Sequence, residues 1–402
     1  MIRKRTALIG AVLLILVTMG VTFIASNVRA LQLGDRVLIS RQLYESMGKE
    51  SDGLDKVGQL KEFLLQEYYQ ELEPEELVDG ALRGMFEAVG DPYTTYLDTS
   101  DYEEMVMSTR GSYGGIGIIV TADDDGYVSV ISPIEGTPGE RAGLGTGDRI
   151  IRVDHQPVTG GRLDDAVSLM RGEPDTEVVV EVLKRNGREP VELVIIRENI
   201  RIESVRSEVL ENETGYIRIT SFDEQTARDF KQHMDELLDQ GVRNLVLDMR
   251  NNPGGLLNQA IRIADMLLGE GLIVYTEDRH GNRREEQSDS KMYEMPLVVL
   301  MNEGSASASE ILAGAIQDHE RGTIVGVTSF GKGLVQELQR LPDGTGFKYT
   351  VSQYFTPEGR NIHDLGIVPD VIVELPDETE QPIDGMENKD DIQLLKALEL
   401  LQ

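Results

Sequence analysis

The sequence predicts an α/β multidomain protein: a helical N-terminal region, a β-rich module with two helices, and an α/β core. Three observations predict it. Between residues 31 and 108 apolar residues recur at helical spacing. From 109 to 200 glycines punctuate short alternating runs, and from 201 to 375 apolar β-prone runs alternate with helical patterns. The 402 residues can fill several hydrophobic cores.

At the N-terminus Arg3, Lys4 and Arg5 precede a mostly apolar stretch, Ala7 to Ala25. As a helix it would span about 28 Å, close to the bilayer core. Residues 1–30 are therefore read as a membrane anchor or signal segment. The basic flank stays in the cytoplasm, which places everything after residue 30 of a single-pass protein outside it. A cleaved signal at Val28-Arg29-Ala30, giving a secreted or periplasmic protein, is the competing reading. In the 31–108 region Val57, Leu60, Phe63 and Tyr68 share a helix face. A second helix follows Pro74 and stops at Gly90-Asp91-Pro92.

In the 109–200 module SYGGIGIIV (112–120) runs from a glycine pair into a strand. Leu163, Val167 and Met170 mark a helix ending at Gly172, and Asn186-Gly187 predicts a hairpin between two strands. In the 201–375 core the strands Asn244–Met249, Leu297–Met301 and Thr323–Val327 alternate with the helix Leu256–Leu268 and a helix that runs from the serine stretch to about Gln317. Residues 376–402 read as an acidic linker and a C-terminal helix.

Composition excludes several function classes. With 71 acidic against 39 basic residues the formal charge is −32, which repels phosphate backbones and argues against a nucleic-acid partner. There is no cysteine for a disulfide, a thiolate nucleophile or a thiolate metal site. The five histidines form no metal-ligand spacing, so no metal and no cofactor are expected.

The chemistry concentrates in NEGSASASEILAGAIQD (302–318), where Ser305, Ser307 and Ser309 crowd a helix start. With no histidine nearby, the base for a serine nucleophile would be a lysine kept neutral by burial, since an exposed amine titrates near ~10.4. Lys332, between Gly331 and Gly333, has the uncharged setting this needs. Gln336 would share its face of an extended strand and could hold the amine without charging it. An oxyanion hole requires fixed backbone N–H groups, for which the Asn252-Pro253-Gly254-Gly255 turn and the serine-bearing helix start are placed alike, each after a buried strand. Residue chemistry alone leaves the three serines equivalent.

The glycine-rich module resembles a PDZ domain. Gly114, Gly115, Ile116, Gly117 and Ile118 correspond to the carboxylate-binding loop that holds a peptide C-terminus, and 163–171 to the groove helix. The whole chain resembles the carboxyl-terminal processing proteases, tail-specific PDZ-containing serine peptidases with a Ser–Lys dyad. The resemblance covers about 60–375 and rests on RGMFEAVGDPYTTYL (83–97), LVLDMRNNPGG (245–255), the serine stretch, FGKGLVQ (330–336) and YFTPEGRNIHDLGIVPD (354–370). It implies a crotonase-like protease core, Ser307 as nucleophile, Lys332 as base and Gln336 as its support. It further implies oxyanion donors at Ala308 and at Gly254 or Gly255, with Arg171 as a candidate gating residue. The expected partners are proteins or peptides with accessible, apolar C-termini; the resemblance and the spare helices make a homodimer a candidate assembly.

Three rivals remain in view. Ser329-Phe330-Gly331-Lys332 fits an S-x-x-K spacing, but that pair needs a helical turn and glycines flank the lysine. A catalytically silent PDZ-containing membrane receptor, or a regulator of another protease, is the alternative class. A coenzyme A enzyme on a crotonase-like core is the third.

Overall fold

A computed structural model describes residues 30–33, 36–39, 41–185, 187, 189–375 and 391–402. The apolar stretch Ala7 to Ala25 and the acidic linker 376–390 lie outside them. Among the described residues no helix is long and apolar enough to cross a membrane.

The chain divides into two compact units, one up to Gly90 and one from Asp91 to Gln402. The first is not wholly helical. It opens with an antiparallel ribbon of β1 (Ala30–Leu33) and β2 (Arg36–Ile39) before α1 (Arg41–Glu67) and α2 (Pro74–Glu87). Apolar alternation in ALQL and RVLI is the signal for this ribbon. Pro74 occupies the first turn of α2, where its missing N–H costs nothing.

The second unit begins with β3 (Thr95–Leu97) and α3 (Thr99–Arg110). Asp98 caps α3 by accepting from the Asp101 N–H, and Gly111 ends it at φ 65°. Then follow β4 (Ser112–Gly115), β5 (Ile118–Ala122), β6 (Val128–Pro133), α4 (Pro138–Arg141), β7 (Arg149–Val153), β8 (Gln156–Pro157), α5 (Leu163–Met170), β9 (Glu177–Leu183) and β10 (Pro190–Ile196). The sheet order β10-β9-β7-β6-β5 leaves β5 at an edge, where an added strand can pair. As the Asn186-Gly187 signal predicts, β9 and β10 pair antiparallel. Alternate residues Val178, Val180 and Val182 of β9 are fully buried in this module's own core.

The strand β11 (Glu198–Arg201) returns to pair with β4, closing the module at its root. The core continues with β12 (Val205–Leu210), β13 (Thr214–Ile219), α6 (Thr226–Asp239), β14 (Asn244–Asp248), α7 (Leu257–Leu267), β15 (Gly271–Asp278) and β16 (Arg283–Ser288). It ends with β17 (Leu297–Met301), α8 (Ala308–Asp318), β18 (Thr323–Gly326), β19 (Leu334–Arg340), β20 (Gly346–Phe355), β21 (Val371–Ile372) and α9 (Ile392–Leu400). Its main sheet has order β12-β13-β14-β17-β18-β21, parallel from β13 onward.

Both faces of that sheet are covered, which is why β17 reads LVVLM with every residue buried. Leu247 and Val299 face the core shared with α6, α7 and α8; Val246, Val298 and Leu300 face Leu394 and Ala397 of α9. Burying each such side chain is worth about 1.5–3 kcal/mol. A second sheet, β16-β15-β20-β19, also takes β3 on β20, so residues just after Gly90 are built into this core.

Candidate active site

Three junctions leave the C-terminal ends of the parallel strands β14, β17 and β18, the edge at which such sheets gather their chemistry. After β14 comes the Asn251–Gly255 turn, after β17 the serine stretch, and after β18 the segment carrying Lys332.

The first two junctions are laced together. Asn252 accepts on its carbonyl from the Ala306 N–H (2.9 Å) and the Ser309 hydroxyl (3.0 Å), and Ser305 donates to the Met249 carbonyl (2.8 Å). Ser305 and Ser309 are both completely buried, so their hydroxyls act as staples. Ser307 alone of the three is half-exposed. Its backbone sits at φ 53°, ψ −111°, a strained conformation that turns its side chain out at the helix start. Gly254, at φ 100°, packs so close that a Cβ there would lie 2.9 Å from Ser307 Cβ and 3.0 Å from the Ala308 nitrogen. The Gly254 N–H donates to Asn252 Oδ1 (2.9 Å), whereas the Gly255 N–H has no partner among the described residues. The Ala308 N–H opens the first turn of α8, where no intrahelical acceptor exists.

Glu310 joins the second and third junctions. Its completely buried carboxylate accepts four hydrogen bonds. Oε2 takes the backbone N–H groups of Ser307 (2.7 Å) and Lys332 (2.9 Å); Oε1 takes the Gly331 N–H (2.7 Å) and the Ser329 hydroxyl (2.6 Å). Ser307 and Lys332 thus hang from one oxygen. The buried Tyr354 hydroxyl ties them again, in a shared bond to the carbonyls of Ser307 (3.1 Å) and Lys332. Burial, and then the Glu310 carboxylate, push that phenol well above its ordinary value, so it stays a donor.

The half-buried Lys332 amine titrates below the ordinary lysine range. Burial is the main cause and the Lys348 ammonium acts in the same direction, against Asp91 and Glu310. Its Nζ lies over the Tyr93 ring, 4.6 Å from the centroid. No hydrogen bond joins Nζ to the Ser307 hydroxyl or to Gln336 among the described residues. Gln336 instead points its amide at the Thr350 hydroxyl (3.5 Å). Lys332 lies before β19 (Leu334–Arg340) begins, so the strand alternation from which a shared face with Gln336 is expected does not reach the lysine.

Ser329 is buried, its hydroxyl committed to Glu310 and to the Ile367 N–H (2.7 Å), and residues 328–333 form no helix; the S-x-x-K arrangement is absent. In the β-rich module Gly114 and Gly115 are not an open loop. They lie in β4, paired with Asn199 and Glu198, where a Cβ at Gly114 would meet the Gly172 carbonyl at 2.0 Å. Ile116 is buried and Gly117 turns the chain at φ 71° into edge strand β5, so only Gly117 and Ile118 border that edge. Arg171 stacks over Tyr113 (5.2 Å) and touches neither Ser307 nor Lys332.

Glu310, Tyr354 and Tyr93 are the site residues a scan for nucleophile and base passes over. Ser-x-x-Glu at 307–310 is a capping-box spacing, so Glu310 had a readable signal as a helix cap but none as a tie to Lys332. Glu310→Gln must set an amide NH₂ against two N–H or O–H donors. It should lower stability by about 2–3 kcal/mol, seen as a reduced urea midpoint with an unchanged slope; an unaltered midpoint would show the carboxylate to be dispensable.

The chain matches peptidase family S41 over residues 213–373, the PDZ domain over 129–197, and the N-terminal domain of the activating protease CtpB over 15–101. It is 38% identical over 330 residues to the carboxy-terminal processing protease CtpA of Bacillus subtilis, covering 82% of this chain and 70% of that one. It is 37% identical to the carboxy-terminal-processing protease of Bartonella bacilliformis, covering 80% and 75%. Among solved structures it is similar to a photosystem II D1 C-terminal processing protease, at 35% identity, TM-score 0.47, and coverage of 79% and 86%. Fold and sequence together define a serine peptidase with a PDZ domain. The chain belongs to the carboxy-terminal processing proteases of family S41, whose substrates are proteins or peptides.

Proposed function

We propose that the protein is an endopeptidase that engages substrate C-termini through its PDZ domain and cleaves with a Ser307–Lys332 dyad. The observation that carries this reading is that one buried carboxylate oxygen anchors both residues while the other two serines are hydrogen-bonded staples. Neutral Lys332 accepts the Ser307 proton as Oγ attacks a peptide carbonyl, then returns it to the leaving amine; water releases the acyl-enzyme. The N–H groups of Ala308 and Gly255 receive the oxyanion, since that of Gly254 is engaged by Asn252. Gln336 acts on the lysine indirectly, through Thr350, and Arg171 would report groove occupancy through Tyr113. The substrate tail adds to the free edge of β5, with apolar termini preferred because Val167 and Leu163 of α5 pack beside that strand's core.

Residues 7–25 would hold the protein at the membrane with the catalytic part outside the cytoplasm. A homodimer is supported by apolar side chains left exposed in the first unit, among them Phe63 at 61% and Tyr69 at 80%.

The test uses the full chain in detergent and an unstructured protein with an apolar C-terminus. Intact-mass analysis should show internal cuts whose rate falls when the last residues are made charged or the terminus is amidated. Equal rates on all tails would exclude tail recognition. Because Lys332 titrates low, the acid limb of kcat/KM should fall below the ordinary lysine value of 10.5, activity being lost as pH drops through it. A limb at or above that value would remove Lys332 as the base.

A further inference from the structure

The motif Gly90-Asp91-Pro92-Tyr93-Thr94 has no part in the chemistry proposed above, yet it lies against the base. The Tyr93 ring is the only group in polar contact with Lys332 Nζ among the described residues; the amine has no hydrogen-bond or ion-pair partner there. The ring itself is firmly mounted. Asp91 accepts from the Tyr93 N–H (2.9 Å), the Thr94 hydroxyl (2.7 Å) and the Thr350 hydroxyl (2.6 Å), and Thr94 accepts from the Thr350 N–H (3.1 Å). Two residues on, β3 is paired to β20, with Thr95 opposite Lys348.

We propose that Tyr93 is a positioning residue of the dyad: its ring face holds Lys332 as an ammonium, protonated from solvent, between turnovers, and once that proton has returned to solvent the neutral amine leaves the face for the Ser307 hydroxyl. The proposal rests on the Ser307–Lys332 reading and adds to it a resting place for the base. An aromatic face attracts a cation and has little hold on a neutral amine. The contact therefore weakens when the lysine loses its proton, the state in which it must reach Ser307. It also accounts for a base and a nucleophile that share backbone anchors but have no hydrogen bond between their side chains.

Several charged groups face the amine. Asp91 from the loop before β3 and Glu310 from α8 favour the ammonium, while Lys348 from β20 opposes it. His363 and Asp364, on the loop after β20, bear on Asp91 and Tyr93. Replacing Tyr93 by leucine changes none of these charges and keeps an apolar side chain over the amine. What it removes is the ring's preference for the charged form.

The pH dependence of kcat/KM for the full chain tests this. In Tyr93→Leu the acid limb should move down by about one pH unit, while Tyr93→Phe, which keeps the ring, should retain the wild-type limb. The same shift should appear without turnover in the Ser307→Ala background, where competitive acetylation of Lys332 by acetic anhydride, read by mass spectrometry across pH, reports the amine directly. Tyr93→Met serves if the leucine variant does not fold. No shift or an upward shift in the leucine or methionine variant overturns the proposal, as does a phenylalanine variant that behaves like leucine. Failure of the dyad itself is distinguishable: it would appear as cleavage surviving in Lys332→Ala, whatever the acetylation profiles show.

Discussion

Ser307→Ala should lower kcat/KM for protein cleavage by about 10⁴-fold or more, and Lys332→Ala by a similar factor. The double variant should be scarcely worse than either, because groups that act as one unit are not additive. The reason lies in the geometry. Ser305 and Ser309 are buried and bonded to Met249 and Asn252, so neither hydroxyl can substitute. Lys348, the neighbouring amine, is carried on β20 and titrates low mainly through its own burial, but no bond ties it to the Ser307 anchor. Ser307→Ala keeps the Glu310 cap, since that bond uses the backbone N–H, so its unfolding midpoint should stay near wild type. That separates lost chemistry from lost fold. A catalytically silent receptor predicts instead that neither variant changes anything measurable, because the wild type would cleave nothing.

Much of this was legible in the sequence, for identifiable reasons. The buried strands announce themselves because both faces of the parallel sheet are covered, so LVVLM is apolar throughout and NLVLD is polar only at its two ends. Ser307 and Lys332 are separated by a helix and a strand, yet each sits at a junction of small residues after a buried strand, Ser and Ala around Ser307 and glycines around Lys332. Less legible were contacts that depend on which way a side chain turns. Gln336 looks aligned with Lys332 by simple alternation, but Lys332 lies before β19 begins and Gln336 turns its amide to Thr350. Gly114 and Gly115 read as an open loop because glycine permits close approach of any partner; here the partner is the chain's own strand β11 and the Gly172 carbonyl. Glu310 looks like an ordinary cap, and only the folded chain brings the 329–332 segment onto its second oxygen. The short helix α9 gave no hint of its role, since its apolar stripe names no partner.

Asp391→Ala should destabilise the protein by about 2–3 kcal/mol, a sizeable share of an ordinary domain's stability. Asp391 lies at the start of α9, yet its carboxylate reaches the Arg250 guanidinium, with Oδ1 3.0 Å from Nη1 and Oδ2 2.8 Å from Nη2. Gln393 adds a bond to Nη1 (3.1 Å), and Asp248 holds the other side, itself accepting from the Tyr216 hydroxyl (2.6 Å). Arg250 and Asp248 are at most 1% exposed; without Asp391 the guanidinium keeps Asp248 but loses its contacts at Nη1 and Nη2 to the second carboxylate in a site closed to solvent. Asp391 also caps α9, accepting from the Gln393 and Leu394 N–H groups (3.1 and 3.0 Å), a contribution of about 1 kcal/mol. Asp391→Ser keeps a cap and loses only the ion pair, so the ion pair's share is what serine fails to restore. Arg250 is followed directly by the Asn251–Gly255 turn, so the same change should lower kcat more than it raises KM, by disturbing the turn proposed above to receive the oxyanion. Equal midpoints and equal kcat in Asp391→Ser and wild type would mean that the C-terminal helix merely covers the sheet. A loss in both would make that helix a support of the active site from the opposite face of the sheet, with Arg250 the link between them.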